Sequence, residues 1–574
     1  MIEEVASDVL IVGMGAAGQL AALNAYDADP DLNIQIVTKA LKGKGGCSRM
    51  VQGGFNVVLD PRDSHEKHLM DTLKGGRYIN DQELARTLVE EATPSIKEME
   101  TRYGCFFDRN PDGTIHQKPF AGQSFDRTVH KGDLTGIEIV SRITEQVLKR
   151  NITVLEECRA VELLCEASAR RVTGALLFDI KRGRFVVARA RCTVMASGGG
   201  PTQYRFHAPG PEKSVDGLAM LYRSGARMRD MEMVQFHPTG LIVPGSVMAG
   251  SLLEEGLRGS GAYLFNGHGE RFMQRYAPEA MERATRDIVS RSIYLEMTEG
   301  RACLEGGVHI DASHLGADFV RENFPGMCDR CSQFGLDLAR ERVPVSPTAH
   351  YHMGGAAIDS SGQSSLEGLF VAGEDSGGVH GANRLGGNGI CDSVVFGRQT
   401  GKAVARYLSR EPSAVPETAP DLVADAIERY SAPEGNGGRA NVFDLRDALR
   451  EINWTRVGVV RNAADLAAAL GEIETLAEET RAASVLGDLP YNMEWLCFID
   501  LLNMIDTSRM VAESSLRRSE SRGSHYRADH PDQDDAHGLF NLFLSRGDDG
   551  RPAFEQVPVE FKHRDLKTCQ SYGE

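Results

Sequence analysis

No stretch of the 574-residue chain is apolar over the roughly 20 residues that a membrane-spanning helix needs. A direct membrane span is therefore excluded. Positive charge is in deficit, with 64 Lys and Arg against 81 Asp and Glu and a formal net charge of −17. This excludes general nucleic-acid binding and electrostatic docking on an anionic lipid surface. An anionic small molecule stays open, because the local charge of a site can oppose the global one. The N-terminus has no signal-peptide pattern, so a cytoplasmic protein is expected, membrane-associated only through partner subunits. The 11 cysteines are scattered, and disulfides are not expected. There is no iron–sulfur ligand run. The one close pair, Cys328 and Cys331 in MCDRC, lacks a second ligand pair, and no metal is assigned to it. Internal repeats are also missing.

What the chain does have is glycine, 61 residues of it, in short runs rather than in a linker. Such runs make tight turns and let the backbone approach a ligand. The length calls for several domains. Residues 8–13 (DVLIVG) read as a buried strand, 13–18 as a GMGAAG turn, 19–28 as a helix and 34–40 (IQIVTKA) as a second strand. Helices are expected near 80–105 and 134–150, and short β segments over 152–195. Another buried strand is expected at 366–373, with a helix near 390–408. REPSAVPETAP at 410–420 is a Pro-rich linker. Helical periodicity dominates 421–515, and 525–574 is a polar tail with turn signals.

GxGxxG over Gly13, Gly15 and Gly18, with Ala16 and Ala17 between, lies after a strand and before a helix. The first glycine makes the turn, the second lets backbone N–H groups reach a pyrophosphate, and the third lets helix and strand pack. Thr38 and Lys39 stand where an NAD site would have an acidic residue. Three more glycine loops follow at 52–54, 197–200 and 384–389, more than one NAD site needs. FAD is the expected cofactor.

MEMVQFHPTG (231–240), EEGLRGSGAYLFNGHGERFM (254–273), RATRDIVSRS (283–292), HYHMGG (350–355) and GEDSGGVHGANRLGGNGICDS (373–393) occur in that order. With them the chain resembles the flavoprotein subunit of succinate dehydrogenase and fumarate reductase, a superfamily that includes L-aspartate oxidase. LRRSESRGSHYRADHPDQDD at 516–535 extends the likeness over nearly the whole chain. The resemblance implies an α/β fold: a Rossmann-like FAD-binding domain (1–236 and 353–410), an inserted α+β capping domain (237–352) and a C-terminal helical domain (421–524), with the tail at 525–574.

It also implies roles. His237, His350 and Arg384 would bind the carboxylates of a small dicarboxylate, with Phe120 and Gln123 bordering it. Arg286 would carry the proton, fed by a relay through Glu255 and Arg258. FAD would be held by Gly13, Gly15, Ala16, Ala17, Gly18, Thr38, Lys39, Ser48, Gln52, Gly53, Gly54, Gly198, Asp216, Glu374, Arg384 and Asn388. The implied reaction interconverts a succinate-like dicarboxylate and its fumarate-like alkene. The implied electron partner is an iron–sulfur protein. The alternative is a stand-alone enzyme of the aspartate oxidase type, acting on an amino or otherwise substituted dicarboxylic acid.

Three positions depart from the family pattern. Cys47 stands five residues before Gln52, where respiratory members carry a histidine bonded to the flavin; noncovalent FAD is therefore expected. Glu254 replaces the threonine that usually precedes EGxRG. A carboxylate there repels a substrate carboxylate unless protonated or bridged. Either Glu254 turns away or the substrate carries an amine, amide or hydroxyl. His352, close to His350 in sequence, is a third candidate for the same pocket.

Overall fold

The computed structural model describes residues 2–166, 168–210, 212–246, 248–411, 414–431 and 440–572. Strand β1 (Glu3–Val12), helix α1 (Ala16–Ala28) and strand β2 (Ile34–Thr38) form the expected βαβ unit. β1 lies between β2 and the strand Arg184–Met195, parallel to both. Ile152–Glu156 extends the sheet beyond β2, and Leu369–Val371 pairs with the end of Arg184–Met195, both parallel. Antiparallel strands Arg171–Asp179 and Cys158–Glu166 complete it. Val9 and Ile11 are fully buried, as a strand covered on both faces requires. α1 packs against the helix Asn388–Leu408, which arrives from the far side of the insertion.

The inserted segment builds its own antiparallel sheet from Val234–Leu241, Val343–His352, Val308–Asp311 and Tyr263–Phe265. It has a separate apolar core around Leu257, Leu264, Val289 and Val345. Its first strand starts three residues before the expected boundary. The helices Val442–Arg456, Ala463–Arg481 and Met493–Arg517 form the C-terminal layer. In the expected linker, Pro412 and Ser413 lie outside the described residues.

The tail is the main correction to the fold. Phe540–Arg546 and Pro552–Pro558 form a hairpin, and its first strand pairs with Met228–Arg229. Leu542 and Leu544 are buried there. The turn signals at 547–550 are visible in the sequence, but the second strand, PAFEQVP, is mostly exposed and shows no period-two alternation to mark it.

Candidate active site

One cavity of about 630 Å³ runs from the N-terminus of α1 to the joint with the inserted domain. Gly13 has φ +113°, and a Cβ on it would lie 2.2 Å from the Ala196 carbonyl oxygen. A Cβ on Gly18 would lie 2.1 Å from the Gly13 oxygen. These two positions accept only glycine, for the turn and for helix–strand packing respectively. α1 has no side-chain cap at Gly15, so most of its first-turn amides stay available to an anion. Ala16 is the exception: its N–H donates to Ser48 Oγ at 3.1 Å.

Lys39 donates from Nζ to Asp216 Oδ2 and to Ser214 Oγ, both at 2.8 Å. Arg159 holds Asp216 Oδ1 at 2.6 Å. Burial disfavours the charge on Asp216, but Arg159 and Lys39 outweigh it and keep the carboxyl well below the usual carboxylate range. Glu374 lines the cavity, and its Oε1 accepts the backbone N–H of Gly200 at 2.9 Å and of His352 at 3.1 Å. Thr38, Gly53, Gly54 and Gly198 line the same space. So does Gln52, whose amide oxygen, turned toward Arg330, accepts two bonds of 2.8 Å.

Asn388 is a correction. Its Oδ1 accepts from Asn56 and His68, and its Nδ2 donates to Thr72, so the side chain points into the core. Gly387, Gly389 and Ile390 form the cavity wall instead. Gln123 likewise braces the wall from behind, donating to Asn56 Oδ1 and the Gly386 carbonyl, both at 3.1 Å. His352 is a second correction. It meets Gln203 at 3.2 Å and is absent from the cavity lining. A bulge at His350 breaks the alternation of that strand and brings His350 and Tyr351 to the cavity together.

At the far end, His237 and His350 meet edge to face, ring centres 5.5 Å apart. Burial, reinforced by Arg286 at His237 and by Arg384 at His350, pushes both well below the usual histidine value. Both rings are neutral. The Thr239 N–H donates to His237 Nδ1 at 3.3 Å, which leaves Nε2 as the donor. Arg384 lies over the Tyr351 ring at 4.4 Å, and burial, then Arg286, lower its pKa to about 10. Arg286 opens the helix Arg286–Thr298 and reaches Glu255 Oε2 through Nε (2.9 Å) and Nη2 (2.7 Å). Arg258 Nη2 contacts Glu255 Oε1 at 3.4 Å from behind the wall. Burial works against the charge on Glu255, yet Arg286 and Arg258 hold its pKa low.

Three contributors escape sequence reading. Gln235 Oε1 accepts from both Arg286 (3.0 Å) and Arg384 (3.1 Å), holding two cations side by side. Its place two residues before His237 is the only signal. Lys118 Nζ lies 2.9 Å from Glu254 Oε1, so Glu254 is bridged. Arg330 joins the lining between Cys328 and Cys331. These two cysteines are free thiols, like the other nine. Cys47 lines the cavity, and burial pushes its thiol up to about 12.

A glycine cradle at a bare helix N-terminus, joined to a polar pocket crowded with arginines, suits a dinucleotide lying across the first domain. The model of the FAD binding domain matches residues 8–390, and that of the fumarate reductase flavoprotein C-terminus matches 446–570. The protein is an FAD-dependent oxidoreductase. It is 40% identical over 527 to 528 residues to one component of the fumarate reductase (CoM/CoB) of Methanothermobacter marburgensis and to an uncharacterised FAD-dependent oxidoreductase of Methanocaldococcus jannaschii, covering 92% of this chain and 94% of each relative. A solved quinol–fumarate reductase with menaquinol superposes with a TM-score of 0.92 at 30% identity, over 98% of this chain and 100% of that one. The chain belongs to the fumarate reductase/succinate dehydrogenase flavoprotein family.

Proposed function

We propose that the protein reduces, or forms in reverse, a carbon–carbon double bond in a fumarate-like acid, as the flavoprotein subunit of a complex with an iron–sulfur partner. The relative from M. marburgensis is named as one subunit of its enzyme, which supports the assembly. No helix among the described residues is long and apolar enough to cross a membrane, so a membrane link would run through partners.

Bound along the glycine cradle, FAD supplies a hydride acceptor or donor. Gly13, Gly15, Ala17, Thr38, Ser48, Gln52, Gly53, Gly54, Gly198, Asp216 and Glu374 would hold it without a covalent bond, while Gly18, outside the cavity lining, serves the packing of α1 on β1. Cys47 stays a protonated thiol, a poor nucleophile.

The rest of the chemistry belongs to side chains. Arg384 and neutral His350 take one carboxylate, and His237 donates from Nε2 to the other. Polarising the group beside the double bond makes the far carbon electrophilic. Phe120, 8% exposed, closes the wall and excludes water. Arg286 delivers the proton at the opposite carbon. Glu255 holds the guanidinium in place, and Arg384 lies beside it on the shared Gln235 Oε1. Arg258 and Glu255 lead the replacement proton in from the protein side.

The observation that carries this reading is the run Arg258–Glu255–Arg286 ending in the wall that His237, His350 and Arg384 share. The test is oxidation of a reduced viologen dye by fumarate with FAD-loaded protein. Turnover lost in Arg286→Gln and Glu255→Gln alike supports the relay. Near wild-type turnover in either variant removes that residue from it.

A further inference from the structure

The inserted domain carries a second cluster of chemically able side chains, away from the cavity. Among the described residues, Cys303, Glu305 and His309 bring one ligand atom each to within 4.8 Å of one another. None of the three lines the cavity. They occupy the turn before the strand Val308–Asp311 and the second residue of that strand. The Cys303 N–H donates to the Gly307 carbonyl at 2.7 Å, and the Gly306 N–H donates to the Cys303 carbonyl at 2.9 Å. These two bonds, with Gly306 at φ +91°, fix the turn. Val308 and Ile310 are fully buried, so alternation turns His309 to the outer face of the sheet. His309 Nε2 then stands 3.7 Å from Glu305 Oε2.

The side chains of His309 and Glu305 are 24% and 40% exposed, so an ion reaches them from the surface and meets the buried Cys303 beside them. A surface ion pair needs only Glu305 and His309. The thiol adds a ligand of a third kind. Sulfur, imidazole nitrogen and carboxylate oxygen together suit zinc, whereas magnesium and calcium take oxygen ligands. Tetrahedral zinc, with sulfur at about 2.3 Å and nitrogen and oxygen at about 2.0 to 2.2 Å, keeps its ligand atoms about 3.3 to 3.6 Å apart. Rotation of the exposed Glu305 side chain supplies the small contraction required. Thiolate, carboxylate and neutral imidazole balance the two charges of the ion, and the thiol proton leaves to solvent.

We propose that Cys303, Glu305 and His309 form a zinc site, with water as the fourth ligand. The ion ties the 303–307 turn to the strand Val308–Asp311 and so braces the outer edge of the inserted domain. It takes no part in the chemistry of the cavity.

The experiment titrates Zn²⁺ into full-length, FAD-loaded protein cleared of metal, followed by calorimetry, with Mg²⁺ as the control and bound FAD absorbance as the check on folding. Zinc-edge X-ray absorption then reads the ligands. The expected result is one zinc ion per chain, with one sulfur neighbour at about 2.3 Å and the others nitrogen or oxygen at about 2.0 to 2.2 Å. Cys303→Ser and His309→Ala are each expected to weaken zinc binding by about tenfold or more, the least that loss of even a supporting group around a metal costs. Cys328→Ser, which breaks the other close thiol pair, is expected to bind zinc as the wild type does. No zinc uptake, two sulfur neighbours, or an affinity that Cys303→Ser or His309→Ala leaves unchanged overturns the proposal.

Discussion

Arg286 places two guanidinium nitrogens, at 2.9 and 2.7 Å, on a single oxygen of Glu255, leaving the other oxygen to Arg258. One carboxylate thus separates two arginines that would otherwise repel. Removing either end of the pair strands a charge that is at least nine-tenths buried.

Arg286→Gln is expected to lower kcat by about 10³-fold, inside the usual range for a general acid, and the stranded Glu255 charge adds to the loss. Bound FAD should survive. Single-turnover reduction monitored at the flavin band separates loss of chemistry from loss of cofactor.

Gly13→Ala should abolish FAD binding. The added Cβ would lie 2.2 Å from a backbone oxygen that cannot swing aside, at a φ of +113°. Purified variant protein should be colourless, and added FAD should not restore the absorbance. A yellow, active variant would show that the turn can relax.

Acid precipitation of the loaded protein should release all the flavin to the supernatant. A thiol pushed up to about 12 carries almost no thiolate at neutral pH. Colour that stays in the pellet, and disappears in Cys47→Ser, would mean a thioether.

Much of the pocket is legible in the chain, because His237, Glu255, Arg258, Arg286, His350 and Arg384 each sit in a distinctive local motif. Lys118 is not. It meets Glu254 across 136 residues, and nothing near either one announces the pairing. Asn388 and His352 mislead for local reasons. Asn388 stands at the start of a helix, where a polar side chain has a choice of directions, and the buried Asn56, His68 and Thr72 claim it. His352 follows a bulge that cancels the two-residue alternation. The hairpin at 540–558 escapes notice because one of its strands is largely exposed.

In the inserted domain, Glu296 is wholly buried and takes bonds from Arg275, Arg301, Asn266 and Tyr276 at 2.7 to 2.8 Å. Burial works against its charge, but Arg301 and Asn266 lead the donors that lower its pKa to about 2. An acid whose folded value is depressed stabilises the fold above its unfolded value, near 4.5, and loses that contribution as pH falls toward 2. Glu296→Gln should cost about 3 kcal/mol at pH 7 and much less near pH 3, checked by urea unfolding. A cost independent of pH would remove the ionic account.

The hairpin at the chain's end also sets an order of assembly. β1 waits for Arg184–Met195, and that strand waits for Leu369–Val371. Met228–Arg229 keeps an open edge until Phe540–Arg546 arrives. On a ribosome, which delivers the chain from its N-terminus, this edge stays bare until the residues between Arg229 and Phe540 have been made. The nucleotide-binding sheet can therefore have all its strands while its neighbour still lacks one.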